Sequence, residues 1–429
     1  MSRPPCRSRV PIWVIPLLIA ILLAPALPTA AQTGQEDDET IVPVVISLSL
    51  SDVIEPGRSW FDDEGLHLRE IVTTLTVDGD LSGTADLIVG IDWFGPCDQE
   101  MLVCDGGQDV FADVTLSAGD GRWSGTLAIE SAPGTRSEAH GILIGRHGTG
   151  DQVLVLDDVT ILAEDGVIEL SGRMVTLSGP IGGIHLIHSA CITGPATADG
   201  GFIGTRGLIL DSGPARIVRE PVGGAQPMGI YGEVRQIGQK GNLRGIFTAV
   251  MNDQHSYGSF VLAGESGPYR GVLGYGRATA TVTDEPLCQS GVQITSTWTG
   301  QVRYLTDPAS FLAPRVYFGS PADEAVVSSP VALDLVAEHV TIEQAGEARD
   351  GAGYFTVIVD APCIGPGEPV PIDDQHIHLT EGETSLDLSL FSGQHRLCLQ
   401  LTDGAGIAQP ANDVITIVVA AAAEDGPDN

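Results

Sequence analysis

The sequence predicts an all-β protein built of antiparallel sheets, and three observations predict it. From Ile41 onward apolar residues recur at every second position: Ile71, Thr73, Leu75 and Val77 share one face while Val72, Thr74 and Thr76 take the other. Phe355, Val357 and Val359 alternate in the same way, as do Leu386, Leu388 and Leu390, and Leu397, Leu399 and Leu401. Clusters of Gly, Asp, Ser and Pro break these runs roughly every 8–14 residues, the spacing of hairpins. No segment sustains an apolar face at helical spacing. Val336–Arg349 comes nearest, but Val340, Thr341 and Ile342 are β-branched and Gly346 interrupts it.

Composition bounds the rest. A chain of 429 residues, 43% hydrophobic, has material for several cores, at about 100–150 residues per domain. Its net charge is -35, with Lys240 the one lysine among 21 Lys and Arg residues. Such a chain repels nucleic acid and anionic lipid, so polyanionic partners are excluded.

Taken in order, the first segment is an address. Arg3, Arg7 and Arg9 precede an apolar run from Val10 to Leu27, which Pro11, Pro16 and Pro25 interrupt. Thr29 and Ala31 then stand at -3 and -1 for cleavage at Ala31–Gln32. Residues 1–31 therefore read as a secretory signal peptide, followed by an acidic linker over 32–40. No span crosses a membrane in the mature chain. Export leaves six cysteines, Cys97, Cys104, Cys191, Cys288, Cys363 and Cys398. An even number in an oxidising compartment reads as disulfides, and sequence alone does not choose among the pairings. The domain plan favours neighbours: Cys97–Cys104, Cys191–Cys288 and Cys363–Cys398.

An internal repeat divides the middle of the chain. Gly121-Arg-Trp-Ser-Gly-Thr-Leu, Ser137-Glu-Ala-His-Gly-Ile-Leu-Ile-Gly, Asp157-Asp-Val-Thr-Ile and Gly166-Val-Ile-Glu-Leu-Ser-Gly-Arg form one copy. Gly241-Asn-Leu-Arg-Gly-Ile-Phe, His255-Ser-Tyr-Gly-Ser-Phe-Val-Leu-Ala-Gly, Ala278-Thr-Ala-Thr-Val and Gly291-Val-Gln-Ile-Thr-Ser-Thr-Trp-Thr-Gly form the other. The order and spacing predict two related antiparallel β-barrel-like domains, over 41–180 and 181–305, with a linker over 306–314. Within the second copy, Gly264-Glu-Ser-Gly-Pro-Tyr-Arg-Gly-Val-Leu-Gly-Tyr-Gly-Arg resembles the glycine-rich hairpin of bacterial barrels related to allene oxide cyclases and dirigent proteins. These glycines also mimic a dinucleotide fingerprint, but no βαβ unit follows them.

The last module runs from 315 to 419, before an acidic tail over 420–429. Arg315-Val-Tyr-Phe-Gly-Ser-Pro, Gly353-Tyr-Phe-Thr-Val-Ile-Val-Asp, Pro371-Ile-Asp-Asp-Gln-His-Ile-His-Leu and Ser392-Gly-Gln-His-Arg-Leu-Cys-Leu make it similar to the bacterial domain of unknown function 4399. That resemblance implies an exported, immunoglobulin-like β-sandwich and no assigned activity. Many relatives in that family carry histidines in the strand matching Gly353–Asp360, typically at the positions of Tyr354 and Thr356, beside a second pair matching His376 and His378. Two such pairs facing one another would suit copper or zinc. This chain keeps His376 and His378, with Asp373 and Asp374 just upstream, and lacks the first pair. Together these four are the weak metal candidates. Two imidazoles fall short of a closed zinc site, and Asp373 and Asp374 read as solvated turn residues.

Other chemistry is sparse. Carboxylate clusters at Asp62–Asp63, Asp78–Asp80, Asp105–Asp109 and Asp157–Asp158 follow no calcium-loop pattern. His67, His140, His185 and His188 lie in predicted strands, where a single histidine is more often structural than catalytic. There is no G-x-S-x-G and no H-E-x-x-H, and oxidised cysteines offer no nucleophile. No catalytic residue and no cofactor is assigned. The expectation is a non-enzymatic exported protein with a binding or structural role and an unknown cell-surface or extracellular ligand. An enzyme with a cyclase-like barrel pocket, or a metal-binding exported protein using His376 and His378, are the alternatives.

Overall fold

Alternating side chains give every long strand an inner and an outer face, and strands long enough to tilt close on themselves. A computed structural model shows the result. It describes residues 41–420 apart from 99–102, 105, 134, 148–149, 163–166, 178–181, 195, 253, 286–287, 306–311 and 350. The signal peptide with its Ala31–Gln32 cleavage, the 32–40 linker, most of the 306–314 linker and the tail beyond Ala420 lie outside the described residues. The chain divides into two compact units, one holding both barrels and one holding the C-terminal module from Leu312.

The first barrel contains β1 (Ile41–Glu55), β2 (Arg58–Phe61), β3 (Gly65–Gly79), β4 (Gly83–Phe94), β5 (Cys97–Asp98), β6 (Val103–Cys104), β7 (Gln108–Ala118), β8 (Gly121–Ser131), β9 (Glu138–His147), β10 (Gly150–Leu162) and β11 (Val167–Leu177). The ring runs β1-β11-β10-β9-β8-β7-β4-β3, and antiparallel pairing of β1 with β3 closes it. β2 adds to β3 outside the ring, and β5 with β6 makes a small hairpin bridged by the Cys97–Cys104 disulfide. Its interior is packed with Ile46, Leu48, Leu87, Leu116, Leu127, Leu143, Leu156 and their neighbours.

The second barrel is a closed meander of β12 (Gly182–Ile192), β13 (Thr197–Gly207), β14 (Ser212–Val222), β15 (Met228–Ile237), β16 (Asn242–Asn252), β17 (His255–Gly264), β18 (Val272–Asp284) and β19 (Val292–Tyr304). The sequence repeat maps onto the last four strands of each ring, β8 to β11 and β16 to β19. In the glycine-rich hairpin, Gly276 faces Gly300 across β18 and β19. A Cβ on Gly276 would stand 2.6 Å from the Gly300 Cα, so the two strands approach more closely than side chains permit.

The barrels meet along an apolar seam of Ile142, Val153, Val155, Val175 and Leu177 against Val261, Leu273, Tyr275 and Leu305. Polar contacts flank it. Thr126 Oγ1 and Thr248 Oγ1 lie 2.7 Å apart, and the Tyr275 hydroxyl donates to Asp151 at 2.8 Å.

The C-terminal unit holds β20 (Arg315–Ser320), β21 (Val326–Val327), β22 (Val331–Glu338), β23 (Thr341–Ile342), β24 (Ala352–Val359), β25 (His376–Leu379), β26 (Ser385–Leu388), β27 (Gly393–Thr402) and β28 (Ala408–Val419). One sheet is β20-β22-β26; the other is β21-β28-β27-β24-β23, with β25 on the free edge of β24. Phe318, Leu333 and Leu335 from the first sheet and Phe355, Val357, Leu397 and Leu399 from the second form one core, so the module is a two-sheet sandwich. Among the described residues no helix is long and apolar enough to cross a membrane.

Candidate functional site in the second barrel

Inward-facing positions on β14 to β19 carry small residues at one end of the second barrel. Ala249 on β16, Ala278 and Ala280 on β18 and Ser296 on β19 leave a cavity of about 60 Å³, bounded also by Phe247 and Trp298. Arg219, near the end of β14, lies on the inward-facing series with Ala215 and Ile217 and lines the same cavity. Its guanidinium makes no ion pair and no side-chain hydrogen bond among the described residues, and its Nε is buried without a partner. Burial lowers its pKa from the ordinary arginine value, and no carboxylate stands near enough to offset the shift. The Cys191–Cys288 disulfide is fixed at this end: Cys191 pairs with Gln293, next to the cavity residue Ile294.

Beneath the cavity, His188 on β12 is wholly buried between Gln236 and Ser296. The Gln236 amide nitrogen lies 2.8 Å from His188 Nε2, and Ser296 Oγ lies 3.1 Å from Nδ1. Burial pushes His188 down to about 4, so it is neutral at physiological pH. With the Gln236 amide donating to Nε2, the imidazole proton sits on Nδ1 and is donated to Ser296. The serine hydroxyl then has its own proton free for the cavity. That polarity orients a donor; it does not deprotonate a nucleophile.

The first barrel places its charged residues on the outside. A register shift between Leu68 and Ile71, with Glu70 at φ 61°, reverses the faces of β3. Leu66 and Leu68 therefore point inward, as Ile71 and Val77 do beyond the bulge, while His67 and Arg69 point outward. Both are completely buried, as is Asp92. His67 Nδ1 lies 2.5 Å from Asp92 Oδ1 and its Nε2 lies 2.9 Å from Asp62 Oδ1. Arg69 donates to Asp92 at 2.7 Å, to the Pro227 carbonyl at 2.8 Å and to the Ala225 carbonyl. Asp92 and Asp109 accept from the Gly224 and Gly223 amides at 2.8 and 2.9 Å. Gly223 has φ +109°, and a Cβ there would stand 2.4 Å from Asp92 Oδ2. The network thus clamps the β14–β15 loop of the second barrel onto the first. Asp62, Glu64 and His67 also present ligand atoms within 4.8 Å of one another. These residues could hold a metal only as an incomplete set, and Asp62 Oδ1 already accepts from the Glu64 amide at 2.8 Å.

Further along this seam, Glu130 is surrounded by burial and by Asp109, Glu138 and Glu220. Burial, then these carboxylates, push it up to about 7. Burial chiefly raises Asp109 to about 6. The Tyr231 hydroxyl donates to Glu220 at 2.7 Å and lies 3.3 Å from Glu130, and the His140 ring stacks on Tyr231 with centroids 3.5 Å apart.

In the sandwich, His376 and His378 lie on β25, opposite Ile358 and Thr356 of β24. His376 Nδ1 is 2.6 Å from Asp373 Oδ1. His378 Nδ1 is 3.3 Å from both the Tyr354 hydroxyl and Thr356 Oγ1, and its Nε2 donates to the Pro371 carbonyl at 2.8 Å. Both nitrogens of His378 therefore bond to protein. Asp374 is exposed and, among the described residues, forms no ion pair with either imidazole. On the same sheet face, Cys398 is fully buried and bonded to Cys363, which ties the loop after β24 over Thr356, Ile358 and Gln400.

Residues 333–420 match the family model described as a domain of unknown function, DUF4399. The DUF4399 match lies entirely within the sandwich and leaves both barrels outside it. No curated protein matches the chain.

Sequence reasoning singled out His188 and His67 as strand histidines but did not link them to Gln236, Ser296, Asp92 or Asp62. It passed over Arg219 altogether. The available signal was the alternation Ala215, Ile217, Arg219, which puts a charge on an otherwise apolar inward face.

Proposed function

We propose that this is an exported, non-enzymatic protein that binds a small ligand in its second barrel. One observation carries the reading: the first barrel is filled by its own side chains, whereas the second keeps a cavity lined by an arginine with no ion partner among the described residues. The three disulfides support an oxidising compartment outside the cytoplasm, as does the sequence of residues 1–31. The histidine that approaches the cavity is neutral and oriented as a donor, which favours binding over catalysis. The cavity is also far below the ~300–1,000 Å³ of a typical drug-sized site, so the ligand or its recognised group is small.

The test is fractionation of cells expressing the full chain, followed by non-reducing peptide mapping and a thermal-shift screen with metals, sugars, amines and organic acids. The expected result is an exported, oxidised protein stabilised by some member of the screen. A reduced protein retained in the cytoplasm would refute the export half. Turnover of a screened compound would refute the non-enzymatic half.

A further inference from the structure

Resting on that binding reading, we propose that the second-barrel cavity is a site for a short-chain organic monocarboxylate, its carboxylate held by Arg219 and Ser296 and its apolar body by Phe247, Ala249, Ala280 and Trp298. The chain has 56 Asp and Glu residues against 21 Lys and Arg residues, so an arginine without a carboxylate is not short of candidates. Other buried or half-buried arginines have found them: Arg69 pairs with Asp92, Arg173 with Asp157, and Arg315 with Glu338. Arg219 alone among these four points at an apolar hollow. A guanidinium in that setting is partly desolvated, with its Nε buried and no ion partner among the described residues, and a ligand carboxylate supplies the partner in bidentate geometry.

A second polar group, Ser296, matches the same chemistry. Ser296 accepts a hydrogen bond from His188 Nδ1 and offers its own hydroxyl proton to the cavity, so it stands beside the cation as a neutral donor. A carboxylate accepts from both, whereas an amine or a metal cation would meet Arg219 with like charge. Size narrows the class further. A cavity of about 60 Å³ is small, which favours a short carboxylate such as propionate or butyrate over a longer or branched one. The lining apart from Arg219, Ser256, Thr279 and Ser296 is apolar, which suits an alkyl body and gives an inorganic anion little to gain.

Calorimetric titration of the purified, oxidised protein with sodium butyrate tests this, with 1-butanol, butylammonium, chloride and phosphate as comparison probes. Saturable one-to-one binding of butyrate is expected, at least tenfold tighter than any other probe. Arg219→Leu should remove that tenfold preference, and Arg219→Lys should keep part of it. Arg216→Leu, an exposed position on the outer face of the same strand, should leave binding unchanged. Ala249→Phe should abolish binding of every probe in a protein whose circular dichroism shows it folded. Equal binding of butanol and butyrate, lost in Ala249→Phe, would overturn the carboxylate assignment while leaving the barrel a binding site. Tighter binding of phosphate or chloride would also overturn it, in favour of an inorganic anion. If no probe binds and the thermal-shift screen is silent as well, the binding reading falls with it.

Discussion

The two barrels share a strand order and differ in what they do with charge and volume. In the first, side chains fill the ring down to a void of about 10 Å³ among Leu48, Leu87, Leu116 and Leu156. Its buried polar side chains, Arg69, Asp92 and His67, lie on the outer face, where the Arg69–Asp92 pair holds the loop of the neighbouring ring. In the second, the repeat alignment sets Ala249 where the first has Ile129, and Ala280 where it has Val159. Those truncations open about 60 Å³ and leave Arg219 facing it. A closed eight-stranded ring is just wide enough for side chains to fill. A few small residues therefore decide whether such a ring is a solid strut or a container.

The largest way to test that difference is to cut the ring that has a mouth to hold in shape. The Cys191–Cys288 bond closes a sequence separation of 97 residues, against 7 for Cys97–Cys104. In the chain-entropy account, replacing both cysteines of the longer loop by serine costs about 4–5 kcal/mol, and of the shorter about 2 kcal/mol. Urea unfolding of the two double variants measures both losses. A larger loss at the short hairpin would mean that the mouth of the second barrel is held by something other than its disulfide.

Next comes a contrast between two arginines. Arg69→Leu leaves Asp92 buried without its ion partner and releases the Ala225 and Pro227 carbonyls. That should cost about 3–5 kcal/mol. Arg219→Leu removes a guanidinium that has no ion partner among the described residues, so stability should stay within about 1 kcal/mol of the parent or rise. Equal losses at both sites would show that Arg219 is as structural as Arg69, and would break the distinction between a paired seam and an unpaired pocket.

What the sequence made legible follows from periodicity. Two-residue alternation suffices to show strands, and Leu397, Leu399 and Leu401 do face the sandwich core. Alternation is blind to a bulge: nothing in Leu66–Val77 marks Glu70 as the residue that swaps the faces, so the outward burial of His67 and Arg69 was hidden. It is equally blind to closure. Arg219 reads as an ordinary strand arginine until β12 pairs with β19 and the inner face becomes an interior. His376 and His378 drew attention through residue type, yet only the Asp373 partner of His376 is near it in sequence; the partners of His378, Tyr354, Thr356 and the Pro371 carbonyl, come from another strand and a loop.

Acid and base should also affect the two regions in opposite directions. Glu130 and Asp109 on the seam have raised pKa values, about 7 and about 6, so the folded protein binds their protons more tightly than the unfolded chain does. Their contribution is complete below the ordinary carboxylate range and is lost as pH rises through 6 and 7. His188 inside the second barrel is depressed to about 4. Its contribution is complete above 6.5 and is lost as pH falls toward 4. Thermal unfolding from pH 5 to 8 should therefore show an alkaline loss of about 1–2 kcal/mol, which Glu130→Gln flattens. Loss on the acid side should survive in that variant. If Glu130→Gln leaves the alkaline slope intact, the seam carboxylates are not its source.

The smallest effect bears most directly on the comparison. Ala280→Val gives the second barrel the residue of the first, adding two methylene equivalents next to the cavity. Burial of each is worth ~0.8 kcal/mol at most, and part is lost to imperfect fit in a ring shaped around alanine. A gain of about 1 kcal/mol is therefore expected by urea unfolding, together with weaker binding of butyrate, because volume given to the protein is taken from the ligand. Ala249→Ile adds a larger side chain to the same space and should overpack it, gaining less or costing stability. A gain in stability with butyrate affinity unchanged would place the ligand elsewhere than this cavity. A loss of stability in Ala280→Val would mean that the hollow closes around alanine in solution, and that the second barrel is as solid as the first.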